Sequence, residues 1–275
     1  MQPRDPSKGP DFLIIGAARA GTSWLARNLG NHPLIHMPAT KELHFFDQHF
    51  DSGYDWYESQ FVSERPIRGE ATPAYMFCEG VAQRISSAYP RAKLVALLRN
   101  PVDRAYSHYQ NLKAKYPGTM PSFAEKLRIT PRLLDEGRYA ERLGPFLSEF
   151  PADQIHIELF DAVQAEPQQV LMRICTFLGA TDDYEFPLAQ NRINSAGIKL
   201  SNARFRKLLY RVLIRGRLGG VAKRIEHTLI DSNEDLTVRE RRRLYLTHFA
   251  DDIEKLESIL NRDLRLWIPS NEVDL

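Results

Sequence analysis

The stretch Phe12-Leu13-Ile14-Ile15-Gly16-Ala17-Ala18-Arg19-Ala20-Gly21-Thr22-Ser23-Trp24 constrains this chain more than any other part of its sequence. Its four opening apolar residues read as a buried strand. A loop of small residues follows, and the spacing then predicts a helix over about Thr22 to Leu29, with Thr22 or Ser23 as its start signal. Strand, small-residue loop and helix start, in that order, make a phosphate cradle. Backbone N–H groups converge at the helix N-terminus, and the helix dipole adds attraction for an anion. Gly16 and Gly21 have the four-residue gap of a Walker A loop, yet Thr22 stands where the Walker lysine should be. The cation has moved inside the loop, to Arg19.

A second strand, Lys93-Leu94-Val95-Ala96-Leu97-Leu98, runs into Asn100-Pro101, where proline suits the first turn of a helix. A P-loop NTPase carries an acidic residue after such a strand to help hold magnesium. Here the strand ends in Arg99, which repels a divalent cation and invites another anion. The two features together describe a nucleotide with two separate anionic groups and no metal. An adenosine bearing a 5′-phosphosulfate and a 3′-phosphate fits.

Gln154 to Phe160 reads as a third strand and Pro167 to Leu178 as a helix after it. Beyond Ser201 the pattern is helical, with Phe205, Leu208, Leu209, Val212 and Leu213 at helical spacing. A last helix is predicted from about Thr237 to Leu260, opened by Thr237 and Glu240 as a capping-box pair. This alternation predicts an α/β fold: a single P-loop-like domain, residues 1–275, with a central parallel sheet flanked by helices and a helical C-terminal third. Residues 1–10 read as a flexible tail and 200–275 as a mainly helical extension. A length of 275 residues with 43% hydrophobic residues suits one packed core and excludes a disordered chain.

Cys78 and Cys175 lack metal-like spacing and suggest neither a disulfide framework nor a metal site. No apolar run long enough for a signal peptide or a membrane span is present, which points to a soluble, cytoplasmic protein. A piece cut from a longer membrane-anchored parent would read the same way. The net charge of +2 gives no reason to invoke nucleic acid. Lys199 to Arg243, however, holds 13 Lys and Arg against 5 Asp and Glu. That segment reads either as a footprint for an anionic partner or as a solvated basic face.

Arg19-Ala20-Gly21-Thr22-Ser23-Trp24 resembles the 5′-phosphosulfate loop of sulfotransferases that use 3′-phosphoadenosine-5′-phosphosulfate (PAPS), a loop usually led by lysine. Leu97-Leu98-Arg99-Asn100-Pro101-Val102-Asp103-Arg104-Ala105-Tyr106-Ser107 is similar to their 3′-phosphate motif. The resemblance implies that Arg19, Ala20, Gly21, Thr22 and Ser23 hold the phosphosulfate and that Trp24 lies against the adenine or in the core. It implies that Arg99 and Ser107 bind the 3′-phosphate. For Arg99 and Arg104 the alternative is surface ion pairing. Asn191 to Lys199 stands where the family closes a loop over the nucleotide, so Gly197, Ile198 and Lys199 are further donor-site candidates.

Lys41-Glu42-Leu43-His44-Phe45-Phe46-Asp47 puts a carboxylate and an imidazole two residues apart, on one side of an extended segment. Sulfuryl transfer to a hydroxyl needs a base for the proton and positive charge at the leaving phosphate. Glu42 and Arg19 can supply these, with His44 assisting. The segment resembles the Glu-x-His-Phe-Phe motif of the heparan-sulfate type, whose glutamate is the candidate base; the cytosolic small-molecule type uses a histidine elsewhere. Gly69-Glu70-Ala71-Thr72-Pro73-Ala74-Tyr75 resembles a further family segment and implies an acceptor wall of Glu70, Tyr75 and Phe45. Ala71 stands where heparan-sulfate enzymes commonly carry a lysine, which weakens the case for a highly sulfated acceptor.

The expectation is metal-independent, in-line transfer from PAPS to a hydroxyl, less readily an amine, of a carbohydrate or small molecule. The alternatives are a P-loop kinase using ATP and magnesium, and a nucleotide- or glycan-binding module without turnover.

Overall fold

The computed structural model of the protein describes residues 3–181, 183–191 and 236–269. Five segments form one parallel sheet: β1 (Phe12–Gly16), β2 (Ile35–His36), β3 (Ile67–Ala71), β4 (Lys93–Leu98) and β5 (Ile155–Leu159). Their order is β2-β3-β1-β4-β5. β1 is buried along its whole length and β4 from Leu94 to Leu98, as expected of central parallel strands covered on both faces. Leu13 pairs with Glu70 of β3 on one side and with Leu94 of β4 on the other.

This order puts a switch point between β1 and β4. From β1 the chain turns to β2 and β3 on one side; from β4 it continues to β5 on the other. In open parallel sheets the crevice at such a point, at the carboxyl ends of the strands, receives ligands. The loop after β1 and the residues after β4 line it.

The helices follow from local signals. α1 (Thr22–Asn31) packs against α9 (Pro167–Leu178), which ends at Gly179 in the left-handed conformation, φ 84°. α4 (Pro101–Lys115) has proline in its first turn, and the Asn100 side chain accepts the N–H groups of Val102 and Asp103. α3 (Val81–Ala88) packs on α7 (Tyr139–Glu149), and α7 carries α11 (Ala250–Leu260). The remaining described helices are α2 (Gly53–Glu58), α5 (Phe123–Ile129), α6 (Arg132–Asp135), α8 (Phe160–Ala165) and α10 (Val238–His248).

The structure departs from the sequence reading in four places. α1 opens on Gly21, φ 98°, with no side-chain cap, so Thr22 lies inside the helix rather than ahead of it. The single helix predicted over Thr237 to Leu260 is two helices that meet at Phe249, whose side chain is 1% exposed. Its capping box is present. The first ten residues are not a loose tail where they are described. The Arg4 N–H donates to the Ala88 carbonyl at 2.8 Å, and its guanidinium donates to Glu58 at 2.9 Å. β2 and β3 had no sequence signal: β2 is two residues long, and β3 reads Ile-Arg-Gly-Glu-Ala.

Gly197, Ile198, Lys199, the helix predicted after Ser201 and most of the basic segment lie outside the described residues. Among the described residues no helix is long and apolar enough to cross a membrane.

Candidate active site

Arg19 and Arg99 meet at the switch point. Arg19 sits at the crest of the loop after β1 with φ 71°, a left-handed conformation that non-glycine residues seldom adopt. The loop is pinned to the sheet by the Ala17 N–H, which donates to the Leu97 carbonyl of β4 at 2.8 Å. It feeds α1, whose ladder begins with the Leu25 N–H donating to the Gly21 carbonyl. The N–H groups of Thr22, Ser23 and Trp24 precede that ladder and have no intrahelical acceptor. Loop and helix start therefore present donors where Arg19 presents charge.

Arg99 follows β4 directly. One of its terminal nitrogens donates to the Arg19 carbonyl at 3.3 Å, and its guanidinium lies 4.8 Å over the Phe160 ring. The Tyr139 hydroxyl donates to the Arg99 carbonyl at 2.7 Å. Arg19 Nε reaches Ser107 Oγ at 3.4 Å, although the two are 88 residues apart. Ser107 thus comes to the loop from the second turn of α4, where its spacing from Arg99 placed it. Burial lowers the pKa of Arg19, and the neighbouring Arg99 charge lowers it further. Burial likewise lowers that of Arg99. Two half-buried guanidiniums held together oppose each other, and an anion between them relieves both.

Phe160, the first residue of α8, organises this side of the site. It stacks on Arg99, and it lies where a side chain at Gly21 would have to go, since a Cβ there would come within 3.2 Å of its ring. Thr22 is buried and Ser23 half-buried, both in the first turn of α1. Ala20 is fully buried beneath the loop. The Trp24 indole N–H donates to the Ala189 carbonyl at 2.9 Å, and its side chain is 5% exposed. Of its two sequence readings, core packing describes this position. Arg104 is buried and paired, donating to Glu136 at 2.9 Å and to the Leu133 carbonyl. It ties α4 to α6.

Between β2 and α2, Glu42, His44 and Asp47 form a chain. His44 Nε2 lies 3.3 Å from Glu42 Oε2, and its Nδ1 lies 2.9 Å from Asp47 Oδ2. The segment is not extended at His44, where φ is 53°, yet the two side chains meet. Asp47 holds the ring nitrogen opposite the one facing Glu42. Lys41 pairs with Glu42 at 3.0 Å. Glu42 and His44 are half-buried, accessible to a hydroxyl that approaches from solvent.

A buried network holds this chain against the sheet. Glu70, at the end of β3, is 1% exposed and accepts three hydroxyls: Tyr57 at 2.6 Å, Tyr75 at 2.8 Å and Thr72 at 2.8 Å. The Tyr75 oxygen accepts the N–H of Phe45 at 3.0 Å and that of Phe46 at 3.4 Å. Thr72 Oγ1 accepts the His44 N–H at 3.3 Å. Burial raises the pKa of Glu70, and the three hydroxyls offset part of that rise. Phe45 stacks on Tyr57 with ring centroids 4.2 Å apart. Glu70, Tyr75 and Phe45, expected as an acceptor wall, are instead the inner support of the loop that carries Glu42 and His44. Their side chains do not face solvent.

A cleft of about 990 Å³ opens between α4, α5 and α10. Its walls include Tyr106, the chain neighbour of Ser107, together with Lys113, Arg128, Arg138, Arg243 and His248. No group of His, Cys, Asp and Glu among the described residues is arranged to hold a metal ion.

Sequence reasoning missed Asp47, Phe160 and Tyr139. Asp47 had a signal, since it closes the run of Glu42 and His44 at three residues' distance from the histidine. The aromatic pair had none, because their places beside Arg99 come from the crossing of strands and helices.

The comparisons with known proteins identify the family. A family model described as the sulfotransferase domain matches residues 9–196. The bifunctional heparan sulfate N-deacetylase/N-sulfotransferase 1 of Caenorhabditis briggsae is 33% identical over 201 residues, covering 65% of this chain and 23% of that protein. The heparan sulfate glucosamine 3-O-sulfotransferase 3B1 of Mus musculus is 33% identical over 184 residues, covering 62% of this chain and 46% of its own length. The chain thus matches half or less of these two relatives. A solved sulfotransferase from Alicyclobacillus acidocaldarius is 29% identical, covers 94% of this chain and 98% of its own, and superposes with a TM-score of 0.66.

Proposed function

The chain belongs to the sulfotransferase domain family, and on that premise we propose that it moves a sulfuryl group from PAPS to a hydroxyl of a carbohydrate or small-molecule acceptor. The observation that carries the reading is the convergence of Arg19, Arg99 and Ser107 at the switch point, beside the uncapped start of α1. The donor set suits a nucleotide with two separate anionic ends. The loop amides, Arg19, Thr22 and Ser23 would hold the 5′-phosphosulfate, and Arg99 and Ser107 the 3′-phosphate.

PAPS supplies an activated sulfuryl group on a phosphate leaving group. The chain's own residues do the rest. Glu42 accepts the proton from the attacking hydroxyl, with His44 Nε2 3.3 Å from its carboxylate and the ring held at Nδ1 by Asp47. Arg19 and the loop amides would stabilise the negative charge that grows on the leaving phosphate. The strand-end Arg99 opposes a divalent cation at that place, which favours metal-independent transfer over a kinase reaction. The cleft beside α4 carries four Lys and Arg side chains against Asp135 and Glu240, a net positive wall that suits an acceptor with acidic groups.

The test is transfer of labelled sulfate from PAPS to a panel of acceptors, anionic and neutral oligosaccharides beside simple alcohols and phenols. Labelled product that disappears with Glu42→Gln supports the reading. PAPS binding without turnover on any acceptor returns the chain to a nucleotide-binding module.

A further inference from the structure

Two arginines from distant parts of the chain land on one face of α4. Asp103 and Ser107 are four residues apart on that helix, which puts their side chains one above the other on the same face. Ser107 receives Arg19 from the loop after β1 at 3.4 Å. Asp103 is ion-paired with Arg241 from the first turn of α10. Arg99 stands at the start of the same helix, just ahead of both turns. The α4 face thus presents three guanidiniums to one small region.

Arg241 is held in place by more than its ion pair. Its Nε donates to the Leu236 carbonyl at 3.2 Å, and it is half-buried. The capping box of Thr237 and Glu240 fixes the turn from which it projects. Burial lowers the Arg241 pKa, and the Arg99 charge lowers it again, so the two guanidiniums sense each other. Asp103 and Asp161 are the carboxylates that face this group; Asp161 accepts the Trp267 indole N–H at 2.9 Å and acts on Arg99. Three guanidiniums against two carboxylates leave the region net positive, which suits the two anionic groups of the nucleotide together. Arg19 serves the phosphosulfate, which leaves Arg99 and Arg241 for the 3′-phosphate.

We infer that Arg241 is a donor-site residue that binds the 3′-phosphate together with Arg99 and Ser107, so that α10 forms one wall of the nucleotide site. The inference rests on the donor reading above. It gives part of the basic segment, unassigned by the phosphate motifs, a definite ligand. It also makes Asp103 a seat for the Arg241 guanidinium, competing with the phosphate for it, rather than a group that binds nucleotide.

The experiment compares adenosine 3′,5′-bisphosphate with adenosine 5′-monophosphate, which differ only in the 3′-phosphate, by calorimetry on the full chain. Arg241→Ala should weaken the bisphosphate about 10- to 100-fold, the loss of one charge-assisted contact, and the monophosphate less than about 2-fold. Arg241→Lys should recover part of the loss. Asp103→Asn should bind the bisphosphate as tightly as the parent or more tightly. An Arg241–Asp103 pair that only braced the helices would instead weaken binding in both variants, and to both nucleotides alike. That result, or a bisphosphate preference that survives Arg241→Ala, overturns the inference alone. A parent protein with no preference for the bisphosphate overturns the donor reading and the inference with it.

Discussion

Replacing Tyr75 with phenylalanine removes one oxygen from the buried network under the Glu42 loop. That oxygen accepts the Phe45 N–H at 3.0 Å and donates to Glu70 at 2.8 Å, in a side chain with no exposed surface. The ring stays, so no cavity larger than the hydroxyl is left. The amides of Phe45 and Phe46 lose their shared acceptor, at about 1–3 kcal/mol, and Glu70 loses one of three donors, at about 1.5–3 kcal/mol for a bond to a charged group. Neighbours share part of this cost, because Tyr57 and Thr72 still donate to Glu70. The expected destabilisation is about 3–4 kcal/mol, or a fall in Tm of roughly 6–15 °C for a chain of this size. Below the new transition, turnover should fall while nucleotide affinity stays within about 2-fold. Those two results follow because the network carries the Glu42 loop, whereas the donor site rests on β1, β4 and α4. Thermal denaturation, calorimetry with adenosine 3′,5′-bisphosphate and single-turnover kinetics read the three quantities. A shift in Tm below about 2 °C, or nucleotide affinity falling in step with turnover, would refute the reasoning.

Three further outcomes follow from the same geometry. Glu42→Gln should lower kcat by about 100-fold or more with nucleotide affinity unchanged, as expected for loss of a general base; equal losses in binding and turnover would assign it a binding role. Gly21→Ala should destabilise the fold by about 1–2 kcal/mol and weaken the nucleotide, because φ is 98° there and the new Cβ would crowd Phe160; denaturation and binding of the variant check both. Glu136 and Glu158 are buried, which alone would raise their pKa values. The His108 imidazole 3.5 Å from Glu136 and the Arg104 charge, and hydrogen bonds from His156 and Arg173 to Glu158, outweigh it and hold both at about 2. Their folded pKa values lie below the ordinary 4.5, so the stability they give is present above about pH 4.5 and is lost as pH falls toward about 2. Urea denaturation at pH 6 and pH 3 should show that loss, with a shallower acid dependence in Glu136→Gln; a parent protein equally stable at both would contradict it.

The convergence of Arg19, Arg99 and Ser107 was legible in the sequence because it is built from contiguous segments. The strand, loop and helix of Phe12 to Asn31 and the strand and helix of Lys93 to Lys115 fold locally, and each delivers its own arginine or serine. Glu42 and His44 were legible as a pair for the same reason, although the backbone there is left-handed rather than extended. What sequence could not show is which side chains turn inward. Glu70 and Tyr75 read as polar and as candidates for the acceptor, but a parallel sheet buries the end of β3, and a carboxylate there survives only by collecting three hydroxyls. Arg241 had no signal at all, being one basic residue in a run of them. Its place is set by the docking of α10 on α4, a long-range contact that no local pattern encodes.

The most direct test of the central claim is calorimetric titration of the parent protein with adenosine 3′,5′-bisphosphate, ADP and ATP, each with and without Mg²⁺. The bisphosphate should bind more tightly than ADP or ATP, indifferently to Mg²⁺, and Arg99→Ala should weaken it sharply. Preference for ATP in the presence of Mg²⁺ would contradict that claim and mark the switch-point crevice as a triphosphate site.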